Sequence, residues 1–405
     1  MDKKPEKLVP EVRFKGFTDD WEQRKFKTLL ISKEGIRRGP FGSALKKDSF
    51  VPGSKNSFAV YEQRNAIYNE FDVRYFINST KYAKLKNFHL HENDIIMSGA
   101  GTIGRLAKIP HNFKKGVFNQ ALIRFRVNDE VNTDYFLSFM ITPTMQKKLT
   151  EANPGSAMVN LVPMNELKNW RVHIPKLNEQ AEISKLIKQI TLLLSLQQRK
   201  LEQLKQLKKA MLQQLFVNKN NKQPILKFKN FRNNWREYKL SEIVNLEDNK
   251  RKPVKATERI RGKIPYYGAN GIQDYVKGYT HIGKHVLIAE DGANSVDDYP
   301  IYFIYSPSWI NNHTHVLTAK EEILSSEFLA YALKKINYAK YLVGSGRYKL
   351  NAEILKLIPL KIPTMNEQKY IESNLSKIDK LITLQQNKLT QLTTLKKYLL
   401  QKLFI

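Results

Sequence analysis

The chain contains one long stretch twice, and this duplication restricts the possible folds more than any other feature. The first copy spans residues 174–216 and the second spans residues 362–404, with a constant offset of 188 and no gap. Of the 43 aligned positions, 22 are identical. Similarity of this density within one chain indicates an internal repeat, so the protein is expected to consist of two related halves.

Each copy has the apolar pattern of a coiled-coil helix, because its stripe residues are spaced alternately by four and three positions. The pattern predicts a helix in each copy, and these stripe residues are expected to form the helix pairing or partner surface. In the first copy they are Ile183, Ile187, Ile190, Leu194, Gln197, Leu201, Leu204 and Lys208. In the second they are Ile371, Leu375, Ile378, Ile382, Gln385, Leu389, Leu392 and Lys396.

The polar residues in the stripe favour one pairing direction. In a parallel pair in register, Lys208 would face Lys396, and two buried like charges oppose each other. In an antiparallel pair, each lysine lies near Ile190 or Ile378 of the other helix and can extend its ammonium group to water. We therefore expect an antiparallel intramolecular pair. The alternative is two amphipathic helices that each pack only on their own domain.

The blocks before the two helices are diverged copies of one strand-rich domain. A Phe-x2-Phe-x3-Trp motif ends at Trp21 and returns at Trp235, an offset of 214, so the first block is 26 residues longer than the second. Strand patterns occur at 57–61, 73–77, 94–98 and 120–127, and again at 285–289, 299–305 and 315–317. Helix patterns follow at 134–149 and 326–341, which indicates an α+β fold for both blocks.

The charge of the chain points to a polyanionic partner. Lys and Arg total 68 against 38 Asp and Glu, a formal net charge of +30. Such a field attracts nucleic acid, and the alternative is an anionic membrane surface. The basic residues are spread along the chain rather than gathered in one amphipathic helix, which favours nucleic acid. No apolar run is long enough for a membrane span, and the absence of cysteine fits a cytoplasmic protein.

Two motifs suggest small-ligand sites, and neither is complete. Residues 98–104 contain G-x-G-x-x-G after a strand pattern, but Pro110 interrupts the helix that a dinucleotide site needs. A tight turn that brings Arg105 near a DNA phosphate, or a purely structural turn, fits better. The pairs His281/His285 and His313/His315 lack a clear third ligand, so no metal site is predicted.

Catalytic motifs of nucleic-acid enzymes are missing from the sequence. It contains no Pro-Pro dipeptide, which an amino-methyltransferase motif requires, and no Pro-Asp dipeptide, which a common nuclease motif requires. It also has no helicase phosphate loop. The chain is therefore expected to recognise nucleic acid without catalysing a reaction, although an enzyme with an unusual motif and a nonspecific DNA scaffold remain alternatives.

Basic residues in both blocks are the predicted DNA contacts, because arginine can read guanine edges and lysine mainly holds phosphate. For any single one, a solvated surface charge is the simpler interpretation. In the first block they are Arg37, Arg38, Lys46, Lys47, Arg105, Lys114 and Lys115. In the second they are Lys250, Arg251, Lys252, Arg259, Arg261, Arg347 and Lys349, together with Tyr348.

These features together resemble the specificity subunit of a type I restriction–modification system, over essentially the whole chain. The resemblance rests on the duplicated aromatic motif, the glycine turn followed by Arg105, the Gly-Ser pairs at 155–156 and 344–345, and Ile-Pro-x2-Asn-Glu-Gln opening each heptad helix. The twofold Ile-Pro and Asn-Glu-Gln pattern is highly specific, whereas the glycine turn alone is weak.

The resemblance implies two α+β target-recognition domains, at 1–175 and 219–363, joined by helices at 176–218 and 364–405 that form an antiparallel coiled coil with pseudo-twofold symmetry. Each domain would read one half of a split, asymmetric DNA site. The helices, about 58 Å long at ~1.5 Å per residue, would set the spacer.

The resemblance also implies the partners and the place of the chemistry. Two modification subunits would bring S-adenosylmethionine for methylation, and two restriction subunits would bring ATP-driven, Mg-dependent translocation and cleavage. This chain would then bind double-stranded DNA in the cytoplasm and hold no cofactor of its own.

Overall fold

The computed structural model describes residues 8–150, 161–217, 221–344 and 348–405. The chain divides into two compact units: unit 1 comprises Met1–Gln198 and Lys388–Ile405, and unit 2 comprises Arg199–Asn387. Among the described residues, no helix combines the length and apolarity needed to cross a membrane.

The first half of the chain alternates short strands with short helices and ends in one long helix. Its strands are β1 (Glu22–Lys25), β2 (Ile36–Arg38), β3 (Phe58–Tyr61), β4 (Tyr75–Ile77), β5 (Ile95–Ser98), β6 (Leu106–Lys108), β7 (Gly116–Phe118), β8 (Leu122–Phe125) and β9 (Arg171–Ile174). Its helices are α1 (Gln63–Tyr68), α2 (Ser79–Lys84), α3 (Thr133–Met140), α4 (Pro143–Thr150), α5 (Met164–Asn169) and α6 (Leu177–Gln214).

The described residues of unit 1 form three sheets. A four-stranded antiparallel sheet has the order β2-β8-β5-β6, and a three-stranded sheet has the order β4-β3-β7, with β3 parallel to β7. The pair β1-β9 joins the start of the block to its end, with Glu22 opposite Ile174. All four residues of β5 and of β8 are buried, so these central strands form the core of the domain.

The second half of the chain repeats this arrangement. Its strands are β10 (Arg236–Lys239), β11 (Val244–Leu246), β12 (Arg261–Gly268), β13 (Gly271–Val276), β14 (His285–Ala289), β15 (Ile301–Ile304), β16 (Trp309–Ile310), β17 (Thr314–Ala319) and β18 (Pro359–Ile362). Its helices are α7 (Leu240–Ile243), α8 (Ser326–Leu333), α9 (Ala352–Leu357) and α10 (Met365–Lys402).

The strand order of unit 2 matches that of unit 1 strand for strand. Its sheets have the orders β11-β17-β14-β15, β13-β12-β16 and β10-β18, which are the orders of unit 1 with nine added to each strand number. The β12-β16 pair is parallel, as is β3-β7. The α+β fold and the internal duplication are thus confirmed.

Two predicted helices are shorter in the structure. The predicted helix at 134–149 is interrupted between α3 and α4, because Pro143 lacks the backbone N–H that a continuous helix would use and instead begins the second helix. The predicted helix at 326–341 ends at Leu333, and only a 3-10 turn follows, at Tyr338–Lys340. The Asn337 side chain accepts from the backbone N–H of Ala339 and so fixes this turn.

Within each unit, the start of one long helix packs against the end of the other. In unit 1, Ile183 and Ile187 of α6 share an apolar cluster with Leu399 and Leu403 near the end of α10. In unit 2, the corresponding cluster contains Leu215, just after α6, together with Ile371 and Leu375 near the start of α10. This is the arrangement of an antiparallel pair, as predicted, and every predicted stripe residue of both helices is buried or partly buried.

The stripe lysine of unit 2 is held by an ion pair. The Nζ of Lys208 lies 2.5 Å from Oδ1 of Asp379, the residue after Ile378, so the lysine lies where the antiparallel arrangement predicts. The sequence predicted that its ammonium group would extend to water. In the structure the group instead forms an ion pair with a carboxylate. The hydroxyl of Tyr331 donates to the other carboxylate oxygen of Asp379 at 2.8 Å, and Lys208 lies over the Tyr331 ring.

The repeated Asn-Glu-Gln motif attaches each long helix to its domain. The Gln180 amide donates to the carbonyls of Glu130 and Pro175 and accepts from the backbone N–H of Asn132, which caps α3. Gln368 makes the same three types of bond in unit 2, to Ile323, Pro363 and the N–H of Ser325. Both glutamines are buried. Because a buried amide without partners is costly, each glutamine fixes the start of its helix on the domain.

Candidate nucleic-acid interface

The first basic surface lies at the end of β2. The guanidinium carbon of Arg37 lies 5.8 Å from the centre of the Phe88 ring, and Arg38 is exposed. Both arginines line a groove of about 790 Å³ that also includes Phe41 and Gln120. The structure thus brings two predicted DNA contacts together with an amide side chain of the type that can read adenine.

The glycine motif forms a hairpin turn between β5 and β6. Gly101 and Gly104 have φ angles of +60° and +82°, which explains why glycine occupies both positions. The backbone N–H of Arg105 donates to the Ser98 hydroxyl at 3.0 Å, and the Arg105 side chain is exposed. A strand, and not a helix, follows the turn, so the geometry of a dinucleotide site is missing here. The phosphate contact of Arg105 stays a prediction.

The remaining predicted lysines of unit 1 have different surroundings. Lys46 and Lys47 are exposed in a pair of 3-10 turns, and Lys115 is exposed just before β7. The Nζ of Lys114 instead donates to the carbonyl of Ser54 at 2.5 Å and lies 5.0 Å from the centre of the Phe76 ring. Three of these four lysines are therefore exposed, while Lys114 contacts its own domain, and the DNA contacts of all four stay predictions.

In unit 2, Arg251 and Lys349 belong to a charged network. Arg251 donates to Glu290 at 2.7 Å and lies 3.4 Å from an oxygen of Asp248, and Lys349 lies 3.1 Å from Glu290. Burial opposes ionisation of Glu290, but hydrogen bonds from Arg251 and Lys349 outweigh it and keep the pKa of this carboxyl below its usual value. Arg251 is 14 % exposed, so its bonds within the domain compete with any contact to DNA.

The same network brings three potential metal ligands together. One ligand atom each of Asp248, Glu290 and His315 lies within 4.8 Å of the others. The sequence-based search considered His315 only together with His313 and therefore missed this group. His315 Nδ1 is 2.5 Å from Asp248, and Arg251 and Lys349 contact the carboxylates. These two cations balance the charge of the two carboxylates, and this balance favours a structural ion network over a cation site.

The other predicted residues of unit 2 are divided between solvent and local contacts. Lys252, Arg261 and Tyr348 are exposed. Lys250 pairs with Glu247, and the guanidinium of Arg259 lies 4.1 Å from the centre of the Tyr266 ring. Arg347 lies outside the described residues, as do the Gly-Ser pair at 155–156 and Ser345.

Exposed leucines on the long helices were not predicted. Unit 1 exposes Leu193 and Leu196 of α6 and Leu395 of α10, whereas unit 2 exposes their repeat equivalents Leu381, Leu384 and Leu207. These six side chains are between 37 % and 64 % exposed. The sequence contains a signal for them, because each leucine is also leucine at the equivalent position of the other copy. This identity is not needed for helix pairing, since these positions lie outside the pairing stripe.

Comparison with known families agrees with this geometry. The family model described as the type I restriction modification DNA specificity domain matches residues 20–206 and 232–394. The chain belongs to this family. The two matched segments correspond to the two halves of the duplication, and each contains a strand-rich domain followed by a long helix.

Relatives in the specificity-subunit family resemble the chain locally and over its length. The chain is 48 % identical over 129 residues to a Haemophilus influenzae protein that carries the name of a type I restriction enzyme specificity subunit; the match covers 32 % of this chain and 33 % of that protein. It is 21 % identical over 392 residues to the type I restriction enzyme MjaVIII specificity subunit of Methanocaldococcus jannaschii, covering 87 % and 89 %.

A solved structure shares the fold along nearly the whole chain. The S subunit of a type I restriction–modification system from M. genitalium has a TM-score of 0.67 and 18 % sequence identity, with 98 % of this chain and 99 % of that chain covered. The specificity-subunit family therefore accounts for both the sequence and the arrangement of sheets and helices.

Proposed function

We propose that this protein is the DNA-recognition subunit of a type I restriction–modification enzyme. Each strand-rich domain reads one half of a bipartite, asymmetric site in double-stranded DNA. The observation that carries this proposal is that the two domains have the same strand order but different side chains in corresponding turns. The turn after β5 is glycine-rich and followed by Arg105, whereas the turn after β14 contains Glu290 and Asp291. One scaffold thus presents two different surfaces, as two different half-sites require.

The exposed leucines support the proposal that the helices bind the modification subunits. Leu193, Leu196 and Leu207 recur at spacings that place them on one face of a helix, outside the pairing stripe. Each unit exposes three leucines from the same equivalent set, two from one helix and one from the other. Two equivalent apolar surfaces in one chain suit two copies of the same partner, and these partners would carry S-adenosylmethionine.

The chemistry is assigned to the partners, including restriction subunits that bind ATP and Mg. The basic groups described above, such as Arg38 and Lys46, supply phosphate and base contacts instead of a nucleophile or a general base. Purified alone, the chain should leave DNA unmodified when S-adenosylmethionine or Mg²⁺ is added. DNA cleavage or methylation by this chain alone would favour the alternative of an enzyme with an unusual motif.

Methylation mapping and competition binding test the proposal together. In cells that contain the chain and its modification subunit, methylated adenines should define one split sequence with a fixed spacer. The purified complex should bind that sequence about a thousandfold or more tighter than random DNA at moderate salt. Affinity should fall with salt by roughly 0.9 log units per log unit of salt for each phosphate contact. Equal binding to random DNA would contradict the proposal and favour a nonspecific scaffold.

A further inference from the structure

The loop after β2 holds a phenylalanine in solvent. Phe41 is 88 % exposed, the largest exposure among the large apolar residues identified in the described chain. The backbone N–H of Gly39 donates to the Leu122 carbonyl at 2.9 Å, and Pro40 is buried. After Phe41 the chain enters a 3-10 turn at Gly42–Leu45, in which Ala44 donates to the Phe41 carbonyl at 2.8 Å. Phe41 is thus exposed although its backbone is fixed on both sides.

Close packing under the loop leaves few alternatives for its path. A Cβ atom on Gly39 would lie 1.8 Å from the backbone oxygen of Asn119, and one on Gly42 would lie 2.8 Å from the Gln120 side chain. The loop is therefore pressed against the segment between β7 and β8. A loop this tightly seated cannot fold Phe41 inward without losing these contacts, and the exposed ring contributes little to the stability of the free domain.

The charges around Phe41 identify the kind of partner that covers it. Residues 35–47 contain Arg37, Arg38, Lys46 and Lys47 and no acidic residue. A single exposed apolar residue is common on protein surfaces, but one on a fixed loop flanked by four cations is complementary to the base stack and phosphates of DNA. Proteins that bend DNA insert such apolar side chains between base pairs.

We propose that Phe41 is a wedge that inserts at one base step of the half-site read by the first domain. This inference rests on the proposed function and adds a specificity-determining residue to it. Arg38, Lys46 and Lys47 hold the phosphates on either side, while Arg37 and Gln120 in the adjoining groove face the opened step. In unit 2, the basic segment Lys250–Pro253 is followed by the partly buried Val254 and not by an exposed aromatic residue. The wedge therefore acts on the first half-site only.

Base-step fluorescence tests the wedge in the complete complex of the chain with its modification subunit. Duplexes of the mapped site carry 2-aminopurine at successive positions of each half-site, and unstacking raises its fluorescence. Wild type should raise the signal at one step of the first half-site. Phe41→Ala should abolish this rise and weaken binding about five- to a hundredfold. Phe41→Leu should keep most of both, because leucine also inserts between base pairs.

A matched control and the remaining outcomes separate the wedge from other roles. Tyr68→Ala removes an aromatic ring that is 66 % exposed in the same unit and should bind DNA like wild type. Wild-type affinity and fluorescence with Phe41→Ala would overturn the wedge. Loss of the modification subunit from Phe41→Ala would also overturn it, because Phe41 would then be a protein contact. If wild type itself prefers no site, the proposed function fails first and the wedge with it.

Discussion

At the residue scale, the two repeated lysines have different surroundings. Lys208 is paired with Asp379, whereas the residue equivalent to Asp379 in unit 1 is Thr191, whose hydroxyl donates to the Ile187 carbonyl. Burial lowers the pKa of Lys396 below its usual value, so its protonated form destabilises the fold. One lysine therefore stabilises the helix pair through an ion pair, and its repeat equivalent carries a cost of burial.

Replacing each lysine with methionine should affect thermal stability differently in the two units. Lys208→Met leaves Asp379 without its cation and should reduce the free energy of unfolding by about 1–3 kcal/mol. Lys396→Met removes a partly buried charge and should be neutral or stabilising by about 1 kcal/mol. Since burial lowers the pKa of Lys396 in the folded state, the cost is fully present at neutral pH, starts to fall when pH exceeds that folded pKa, and is gone above the ordinary lysine pKa of the unfolded chain. The advantage of Lys396→Met should shrink accordingly at alkaline pH.

Melting temperatures measured side by side at neutral and alkaline pH check both effects. The double variant tests independence, because Lys208 and Lys396 lie in different units and their effects should add. Equal destabilisation by the two single variants would show that the ion pair of Lys208 with Asp379 does not contribute to the free energy of unfolding.

At the scale of elements, the long helices were the most predictable part of the chain. The heptad pattern predicted a helix in each copy, and the family resemblance implied bounds of 176–218 and 364–405. The structure has α6 at Leu177–Gln214 and α10 at Met365–Lys402. The short strands were less predictable. Pairs such as β1 with β9 join residues about 150 positions apart, and β12 with β13 contains a register irregularity that no local pattern announces.

The candidate site was predictable by residue type but not by environment. Arg251 and Arg38 have the same side chain and similar neighbours in sequence, yet Arg251 is bonded to Glu290, 39 residues away, while Arg38 is exposed. The composition was enough to predict a strongly positive protein, because net charge is the sum of the residue charges. Which cations remain available depends on long-range ion pairs, and these are set by the tertiary fold.

The exposed leucines give a prediction for the helix surface. Leu196→Glu in unit 1 and Leu384→Glu in unit 2 should each remove one modification subunit, so each single variant should bind one partner and the double variant none. Native mass spectrometry of the assembled complex measures this stoichiometry. The melting temperature of the free chain should change little, because both side chains are more than half exposed.

Ser195→Glu is the matched control for the leucine variants. Ser195 is exposed, directly precedes Leu196 and points about 100° away around the helix, and the substitution introduces the same charge. It should retain two modification subunits. Retention of two subunits by the Leu196→Glu, Leu384→Glu double variant would place the partner surface elsewhere.

At the scale of the whole molecule, both halves begin with the same contacts. In unit 1, the backbone N–H of Trp21 donates to the Leu8 carbonyl, and the backbone N–H of Val12 donates to the carbonyl of Lys402, at the end of α10. In unit 2, the backbone N–H of Trp235 donates to the Lys222 carbonyl, and the backbone N–H of Leu226 donates to the carbonyl of Gln214, at the end of α6. The segment at 8–13 thus packs on the end of α10.

This equivalence predicts that the order of the two halves can be exchanged. In unit 2 the segment between Phe216 and Lys222 has five residues, and a peptide bond from Ile405 to Met1 would leave eight residues between Phe404 and Leu8. A circular permutant opened between Lys219 and Asn220 therefore keeps every contact named above. It should melt within a few degrees of the parent chain and direct methylation to the same split sequence with the same spacer. A second permutant opened between Gln197 and Gln198 interrupts α6 and should lose both properties, because the free ends of a cut helix leave backbone groups unpaired. Failure of the first permutant to fold would show that the covalent order of the halves, and not only their repeated contacts, is required.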